Sequence, residues 1–249
     1  MAAGLLNKPL YYIRARQLIN FHFIYHFQSM RSAISSSIIC LTLLMNLLYG
    51  CRLSNKNISG KHFMTLFDGR TFNGWEGDTI KTWQIKDGVI TGGSLSQEVP
   101  ENDFLVTSNI YSDFKLRLKF KLTGNQGFVN AGVQFRSQRL TNPPNEMKGY
   151  QGDIGPGYWA SLYDESRRNI TLAMPDSTLI AKILKPDDWN DFEILAEGNR
   201  IRIFLNGHQT IDYKETDPNI PQSGYIGLQI HGGGKAIVCY KDILIEKLR

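Results

Sequence analysis

Residues 114–122 read FKLRLKFKL, a stretch in which apolar and basic side chains alternate without a break. This period of two is that of a β-strand, because successive side chains point to opposite faces of a sheet. The apolar side is therefore predicted to face a core. The four cations of the other side would suit a polyanion, but no aromatic side chain is interleaved with them, which favours a solvated outer face.

Two tight turns lie between short β-rich runs elsewhere in the chain. Asp87-Gly88 divides WQIKDGVITGG (residues 83–93), and Asn206-Gly207 divides RIRIFLNGHQTIDY (residues 200–213). Both dipeptides suit the positive φ angles of a two-residue hairpin turn. Many short strands without a comparably long helical pattern predict an all-β fold, a jelly-roll β-sandwich of two antiparallel sheets.

The first 50 residues contain no acidic residue, whereas all 23 Asp and Glu follow them. From Met30 a mostly apolar run leads to Gly50 and Cys51, which resembles a bacterial lipoprotein signal with LYGC as its lipobox. On this interpretation translation starts at Met30 and lipidated Cys51 holds the protein to the periplasmic or outer-membrane face of a bacterial cell envelope. The alternative is that residues 32–49 remain as a transmembrane anchor.

After this leader, residues 1–50, the chain is predicted to contain a tether, residues 51–62, and one domain, residues 63–249. Four of the 28 Lys and Arg lie in the leader, so 24 remain against 23 acidic residues, and the charge gives no reason to expect a nucleic-acid partner. Of the three cysteines only Cys239 lies in the domain, which excludes a disulfide framework or a cysteine metal cluster there.

Two further predicted strands have one apolar and one polar face. Apolar residues alternate with small or polar ones in NAGVQFR (residues 130–136) and YIGLQIH (residues 225–231). They are Val133 and Phe135 in the first strand and Ile226, Leu228 and Ile230 in the second. The opposite face combines small glycines with amide and ionisable groups, which is what a carbohydrate cleft needs. Its larger polar members are Gln134, Arg136, Gln229 and His231.

Residues 149–168 read GYQGDIGPGYWASLYDESRR and concentrate aromatic, acidic and Arg side chains beside four glycines. A strand at the start of this stretch is predicted to end at Gly-Pro-Gly, which forces a turn. Aromatic rings stack on the C–H face of a sugar, and carboxylates with Arg bind its hydroxyls. The alternative is that Trp159 and Tyr163 lie in the core and that the charged residues form local ion pairs in a loop, namely Asp164, Glu165, Arg167 and Arg168. The predicted sugar-binding residues are Gln134, Gln151, Gln229, Tyr158, Trp159, Tyr163, Asp164, Glu165, Arg167 and Arg168.

Six motifs along the chain resemble, in order, the 3-keto-disaccharide hydrolase domain family of bacterial secreted and lipid-anchored proteins. They are LFDGRTFNGW, WQIKDGVITGG, NDFLVT, GFVNAGVQFRS, GYQGDIGPGYWASLYDESRRN and LQIHGGG. The likeness covers nearly all of residues 63–248. It implies a concanavalin A-like β-sandwich and a carbohydrate-active enzyme that cleaves 3-keto-glycosides.

The chemistry of such a substrate suggests roles for the polar residues. A ketone at C3 acidifies the proton on C2, so a base can start an elimination that releases the oxygen on C1 before water adds back. We expect His231 to be this base, because its ordinary pKa near 6.5 suits proton transfer at neutral pH. Arg136 and Gln134 are expected to hold the C3 oxygen. Asp153 and Glu146 are expected to act as the second acid or base, or to form a divalent metal site with His231.

Other functions remain open at this stage. The domain could instead be a non-catalytic carbohydrate-binding module or a structural domain of the envelope, because a sandwich fold serves all of these purposes. Convergence of the ionisable side chains on one point would favour the enzyme. A retaining glucanase mechanism is not expected, because the strand at Gln151 and Asp153 lacks the alternating E-x-D-x-E pattern.

Overall fold

Fifteen strands and one short helix are formed by residues 63–248, the part of the chain that the computed structural model describes. Every strand pair is antiparallel, and the strands form two sheets whose apolar faces pack together. The structure is therefore the predicted jelly-roll β-sandwich of concanavalin A type. No helix within residues 63–248 is long and apolar enough to span a membrane.

Sheet A has the predicted alternating strand near its centre. In β6 the even-numbered residues from Phe114 to Leu122 are buried in the core, and the basic residues between them lie on the outer face. Glu193 pairs there with Arg117, at 2.5 Å, so the stripe is a solvated face with cross-strand ion pairs, as predicted. The strands of sheet A, in spatial order, are β13 (His208–Lys214), β12 (Arg200–Leu205), β11 (Asn190–Glu197), β6 (Phe114–Gly127), β15 (Gly234–Lys247), β4 (Val89–Ser94) and β3 (Trp83–Lys86), and β1 (Met64–Thr65) pairs with β15.

Sheet B carries the polar residues singled out in the sequence. Val133 and Leu228 of neighbouring strands face the core, and their polar neighbours Gln134 and Gln229 lie on the outer face. In spatial order the strands are β10 (Ile170–Ala173), β9 (Leu162–Glu165), β8 (Met147–Ile154), β7 (Ala131–Arg139), β14 (Tyr225–Ile230), β5 (Asp103–Thr107) and β2 (Trp75–Glu76). The helix α1 (Ser177–Ile183) follows β10 and precedes β11 in the chain. Its N-cap Asp176 accepts hydrogen bonds from two backbone N–H groups.

Both predicted hairpins are confirmed. Asp87 and Gly88 join β3 to β4 with φ of 51° and 77°, and Asn206 and Gly207 join β12 to β13 with φ of 49° and 81°. These positive angles match the right-handed twist of the strands, which is why Asp-Gly and Asn-Gly favour such turns.

A β-bulge interrupts the alternation in β7. Phe135 pairs with Tyr150 of β8, but the next regular pair between these two strands is Gln138 with Lys148. Arg136 takes a φ of 48°, and Ser137 then lies on the outer face beside Gln134. The extra residue thus reverses which positions point to the core and which point outward along the remainder of the strand.

The predictions for the leader and the tether, including lipidation at Cys51, concern residues 1–62. These lie outside the described residues, so they stay predictions.

Candidate active site

A cavity of about 170 Å³ opens on the outer face of sheet B. It lies where β7, β8 and β9 meet the end of β14, so strands distant in sequence supply its walls. Most of its lining is polar, and two exposed aromatic rings stand at its edge. The lining residues are Phe128, Asn130, Gln151, Asp153, Tyr158, Tyr163, Glu165 and His231.

Asp153 occupies the floor of this cavity and is only 5% exposed. As predicted, it shares a face of β8 with Gln151, whose Nε2 donates a hydrogen bond of 2.8 Å to Asp153 Oδ1. Burial raises the pKa of Asp153 to about 7, although the neighbouring Gln151, Asn130 and Ser161 side chains favour the ionised form. This carboxyl group therefore exchanges its proton near neutral pH.

Glu165 is a second carboxyl group with the same property. It lies on the cavity side of β9, and burial together with the charges of Glu146 and Asp153 raises its pKa to about 7. Gln229 Nε2 lies 3.5 Å from its Oε2, at the limit of a hydrogen bond. The sequence predicted Glu165 as a sugar contact, and its surroundings also suit it to proton transfer.

His231 completes the ionisable set at the end of β14. Its backbone N–H donates to the carbonyl of Asn130 at 3.0 Å, and its Nδ1 lies 2.6 Å from the carbonyl oxygen of Gly232. A carbonyl oxygen only accepts, so this contact places the proton of the neutral ring on Nδ1 and leaves Nε2 with a free lone pair. His231 can therefore act as a base through Nε2.

Glu146 lies next to the cavity without lining it. Asn102 Nδ2 donates to Glu146 Oε1 at 2.8 Å, and Asn102 Oδ1 accepts from the backbone N–H of Gly232 at 3.0 Å. Burial raises the pKa of Glu146, an effect partly offset by the Asn102 hydrogen bond and by the nearby His231. Glu146 thus belongs to the same electrostatic cluster, where its Oε2 is buried without a hydrogen-bond partner among the described residues.

Three residues of the site were not predicted. Phe128 packs its ring against that of His231, with centroids 4.5 Å apart, and against Tyr158 at 6.3 Å. Asn130 lines the cavity and Asn102 bridges two loops beside it. Asn130 began the polar face of NAGVQFR, so alternation could have found it, but no sequence pattern marks Phe128 or Asn102.

Arg136 is not part of the cavity, and its predicted contact with the substrate carbonyl is wrong. Its fully buried guanidinium donates to the carbonyls of Ser112 and Gly198, at 2.8 and 2.6 Å, and to Gln222 and Asp113 at 2.7 and 2.9 Å. The reason is the bulge in β7, which turns Arg136 away from the outer face. Arg136 instead ties together loops between the two sheets.

Several predicted sugar contacts also serve the framework instead. Asp164 is fully buried and is paired by Arg167, at 2.8 Å, and by Arg168. Arg168 also pairs with Glu215 at 2.7 Å, and the Tyr150 hydroxyl donates to the same carboxylate at 2.7 Å. The ion-pair interpretation is therefore correct for Asp164, Arg167 and Arg168, because Asp164 of β9 pairs with Tyr150 of β8, whose side chain lies in the core.

The remaining predicted contacts divide between the core and the cavity. Trp159 stacks on Phe120 of the core, with centroids 6.3 Å apart and planes at 14°, so its prediction as a sugar contact is wrong. Tyr158, Tyr163 and Gln151 do line the cavity. Gln134 and Gln229 are fully buried behind it and act on the site only through neighbouring side chains.

The proposed metal site can be tested against the side chains present. Within residues 63–248, no three His, Cys, Asp or Glu side chains are arranged to hold a metal ion. The donors predicted for a metal, Asp153, Glu146 and His231, are thus near one another without forming a ligand set.

Two larger hollows lie on sheet A. They have volumes of about 560 and 580 Å³ and share Arg117 and Asp191. Asp191 pairs with Lys119 at 2.5 Å and Arg117 pairs with Glu193, so these charges are already neutralised by one another. The hollows lack the buried, proton-exchanging groups of the cavity on sheet B.

Solved structures that are similar to the chain share its sandwich fold. A proposed glycosyl hydrolase of Parabacteroides distasonis is 20% identical, with a TM-score of 0.56 over 75% of this chain and 94% of that one. The carbohydrate-binding module CBM66 of Bacillus subtilis is 18% identical, with a TM-score of 0.54 over 70% of this chain and 95% of the module. At these identities the likeness establishes the fold alone.

Sequence comparison is more specific. A 3-keto-disaccharide hydrolase of Bacteroides thetaiotaomicron is 32% identical over 88 residues, which span 32% of this chain and 29% of that relative. A family model described as a 3-keto-alpha-glucoside-1,2-lyase-like domain matches residues 62–246, nearly the whole described part of the chain. The resemblance carried by the six sequence motifs is thereby confirmed, and the chain belongs to the family of 3-keto-alpha-glucoside-1,2-lyase-like domains.

Proposed function

We propose that this domain is a glycoside-cleaving enzyme that acts on sugars carrying a ketone at C3. The observation that carries the proposal is the cavity on sheet B, where a histidine with a free Nε2 meets two carboxyl groups that exchange protons near pH 7. Such perturbed groups are typical of acid–base sites rather than of binding surfaces. Family membership and the name of the Bacteroides relative support the same class of substrate.

The proposed reaction begins with proton abstraction. His231 Nε2 removes the proton on C2, and the electron pair moves onto the C3 oxygen to form an enolate. Donors at the cavity wall, of which Asn130 and Tyr163 are the candidates, stabilise the developing charge on that oxygen. This step needs a base matched to neutral pH, which an imidazole provides.

Elimination and hydration complete the reaction. The enolate reforms the C3 ketone and expels the glycosidic oxygen from C1, which leaves a double bond between C1 and C2. A protonated carboxyl group, Asp153 or Glu165, gives its proton to the departing oxygen. Water then adds across the double bond, with hydroxyl to C1 and a proton to C2, so that a free 3-keto sugar and an alcohol result.

The size of the cavity bears on what is bound. A volume of about 170 Å³ is smaller than the roughly 300 Å³ at which pockets for drug-sized ligands begin. It suits one sugar ring, with the leaving group beyond it against Phe128 and Tyr158, which are 43% and 38% exposed.

The direct test is release of p-nitrophenol by the purified full-length chain from p-nitrophenyl 3-keto-glucosides of both anomers, compared with the ordinary glucosides. We expect release from the keto sugars alone. In D2O the product should carry deuterium at C2, which distinguishes elimination from direct displacement at C1. Each assay is repeated with chelator, because loss of activity would show that a metal participates.

A carbohydrate-binding module is the competing function. Saturable binding of a 3-keto glycoside or another glycan, without release of p-nitrophenol from any substrate, would overturn the enzyme proposal in its favour. The isolated binding of sugar would then leave the raised pKa values of Asp153 and Glu165 without a catalytic role.

A further inference from the structure

A row of hydrogen bonds runs across the outer face of sheet B and ends at Asp153. Ser137 Oγ lies 2.6 Å from Gln134 Oε1, Gln134 Nε2 donates to Gln151 Oε1 at 3.0 Å, and Gln151 Nε2 donates to Asp153 Oδ1 at 2.8 Å. Ser137, Gln134 and Gln151 are at most 1% exposed. Water is thus excluded from the row, and its members satisfy one another.

The row has a direction. A carboxylate oxygen only accepts, so Gln151 must turn its NH2 group towards Asp153 and its oxygen towards Gln134. Gln134 must then donate to Gln151, which leaves its own oxygen to accept from the Ser137 hydroxyl. Each amide is therefore fixed in one of its two orientations, and bonds aligned in this way polarise one another.

The two oxygens of Asp153 differ as a result. Oδ1 accepts the hydrogen bond from Gln151, whereas Asn130 and Ser161 favour the ionised carboxyl group from nearby without a well-formed hydrogen bond to Oδ2. The carboxyl group lines the cavity, so Oδ2 is the oxygen left for a proton and for a substrate. Glu165 has no comparable support, because its contact with Gln229 is long.

Building on the proposed function, we propose that Ser137, Gln134 and Gln151 form a directed chain that makes Asp153, through Oδ2, the group that gives its proton to the leaving oxygen. The three are positioning residues, since none needs to touch the reacting atoms. They hold Oδ1 as an acceptor and thereby confine the acidic proton to the side of the cavity.

Other titratable groups around Asp153 must stay unchanged for a clean test. Those that face it are Glu165 and Tyr163 of β9, Tyr158 of the turn between β8 and β9, Glu146 before β8 and His231 after β14. The strand β7 contributes no charge beside it, because its facing residues are Gly132 and Gln134. Neutral substitutions in the chain therefore act on Asp153 through hydrogen bonds, and a substitution to glutamate adds a charge to that effect.

Gln134→Glu offers the sharpest perturbation. A glutamate there can only accept, so Gln151 must turn its NH2 group towards residue 134 and its oxygen towards Asp153, which then has to be protonated. Gln134→Met interrupts the chain without adding charge, and Ser137→Ala removes only its first hydroxyl. Gln138→Glu is the matched control, because it adds the same charge at an exposed position of the same strand.

Two measurements on the full chain separate the possible outcomes. The first is the titration of the Asp153 carboxyl carbon by NMR in protein labelled with ¹³C-Asp, assigned by its absence in Asp153→Asn. We expect the midpoint to rise by about one pH unit in Gln134→Glu, by less in Gln134→Met and Ser137→Ala, and to stay in Gln138→Glu. An unmoved midpoint in folded Gln134→Glu and Gln134→Met would overturn the chain.

The second measurement is the pH profile of kcat/KM with a 3-keto-glucoside. A general acid works only while it is protonated. The pH at which kcat/KM falls on the alkaline side of the profile should therefore rise together with the Asp153 midpoint. A midpoint that moves without the limb would overturn the assignment of Asp153 as the proton donor. If the unsubstituted protein turns over no 3-keto sugar, the proposed function fails, and the carbon titration still decides whether the chain controls Asp153.

Discussion

His231 Nδ1 lies 2.6 Å from the carbonyl oxygen of Gly232, its own neighbour in the chain. The hydrogen bond uses backbone to fix the tautomer, where many enzymes use a carboxylate. It leaves the imidazole without a paired negative charge at Nδ1. The proposed base therefore depends on a short glycine turn that keeps the carbonyl of Gly232 in place.

Replacing His231 by Ala should reduce kcat on a 3-keto-glucoside by roughly 10²–10⁴-fold, the usual contribution of a positioned general base. The side chain is only partly buried, so the melting temperature should change little. Steady-state kinetics and circular dichroism on the same sample check both points. An active His231→Ala protein would remove the residue from the mechanism, and His208→Ala, at an exposed position in β13, is the control.

Asp153→Asn should stabilise the domain at neutral pH while abolishing its activity. Burial raises the pKa of Asp153 to about 7, so the folded protein keeps a proton that the unfolded chain, with an ordinary pKa near 3.9, releases. The stability linked to this proton is fully present below about pH 4 and is lost as the pH rises through 7. Asparagine does not titrate, so its stability does not fall in this way. At pH 8 the free energy of unfolding of Asp153→Asn should exceed that of the unsubstituted protein by roughly 1–3 kcal/mol.

Urea unfolding at pH 4, 5.5, 7 and 8 measures this difference. The gap between Asp153→Asn and the unsubstituted protein should widen from pH 4 to pH 7 and then stay level. Glu98→Gln, at an exposed position, should show no such trend. A gap that is constant with pH would mean that Asp153 does not bind its proton as proposed.

Arg136→Met should destabilise the fold without altering catalysis. The substitution leaves two carbonyl oxygens, Gln222 and Asp113 without a buried donor, and breaking such a network typically costs about 3–5 kcal/mol. Denaturant unfolding measures the loss, and kinetics at low temperature on the folded protein should give an unchanged KM. Arg117→Met, which removes a surface ion pair, should cost less than about 1 kcal/mol. A stable but inactive Arg136→Met protein would return the residue to the site.

Glu215→Gln should weaken the domain at neutral pH but not in acid. Burial alone would raise the pKa of Glu215, but hydrogen bonds from Arg168 and Tyr150 outweigh it and lower the pKa to about 2. The stability that results is present above an ordinary pKa near 4.3 and is lost as the pH falls towards 2. We expect a loss of roughly 1–3 kcal/mol at pH 7 that vanishes near pH 2. Equal stability of both proteins at pH 7 would contradict this account.

Phe128→Ala should weaken binding more than turnover if the ring supports the leaving group. An aromatic contact of this kind contributes about 0.5–1.5 kcal/mol, so KM for an aryl 3-keto-glucoside should rise roughly 2–13-fold while kcat stays within a factor of two. Ile110→Ala removes an apolar side chain that is also exposed, at 58%, but does not line the cavity, and it should change neither constant. A fall in kcat with constant KM would instead show that Phe128 acts by orienting His231.

Alternation and turn chemistry predicted much of the framework. The period of two in β6, the hairpins at Asp87 and Asn206, and the shared face of Gln151 and Asp153 depend on neighbours within a few residues. Such local rules are visible in one sequence. The family resemblance added the type of sandwich and the proposed class of substrate, which periodicity alone does not contain.

The errors have long-range causes. Arg136 follows the alternation of its strand in the sequence, but pairing with β8 inserts a bulge that no residue of NAGVQFR announces. In LYDE the faces on which Asp164 and Glu165 lie depend on the register of β9 against Tyr150 of β8. Asp164 forms an internal ion pair, whereas Glu165 lines the cavity. Asn102 reaches the site from a loop more than 40 residues away, beside Glu146.

The bulge of β7 divides one strand between two duties. Gln134 before the bulge and Ser137 after it belong to the row of hydrogen bonds that ends at Asp153, while Arg136 between them donates to loops of both sheets. Substitutions at nearby positions of this strand should thus have different consequences. A change at Gln134 would alter the chemistry, whereas a change at Arg136 would alter the lifetime of the folded state. Sequence changes along this strand can therefore alter the proposed proton transfer without destabilising the fold only if they leave Arg136 in place.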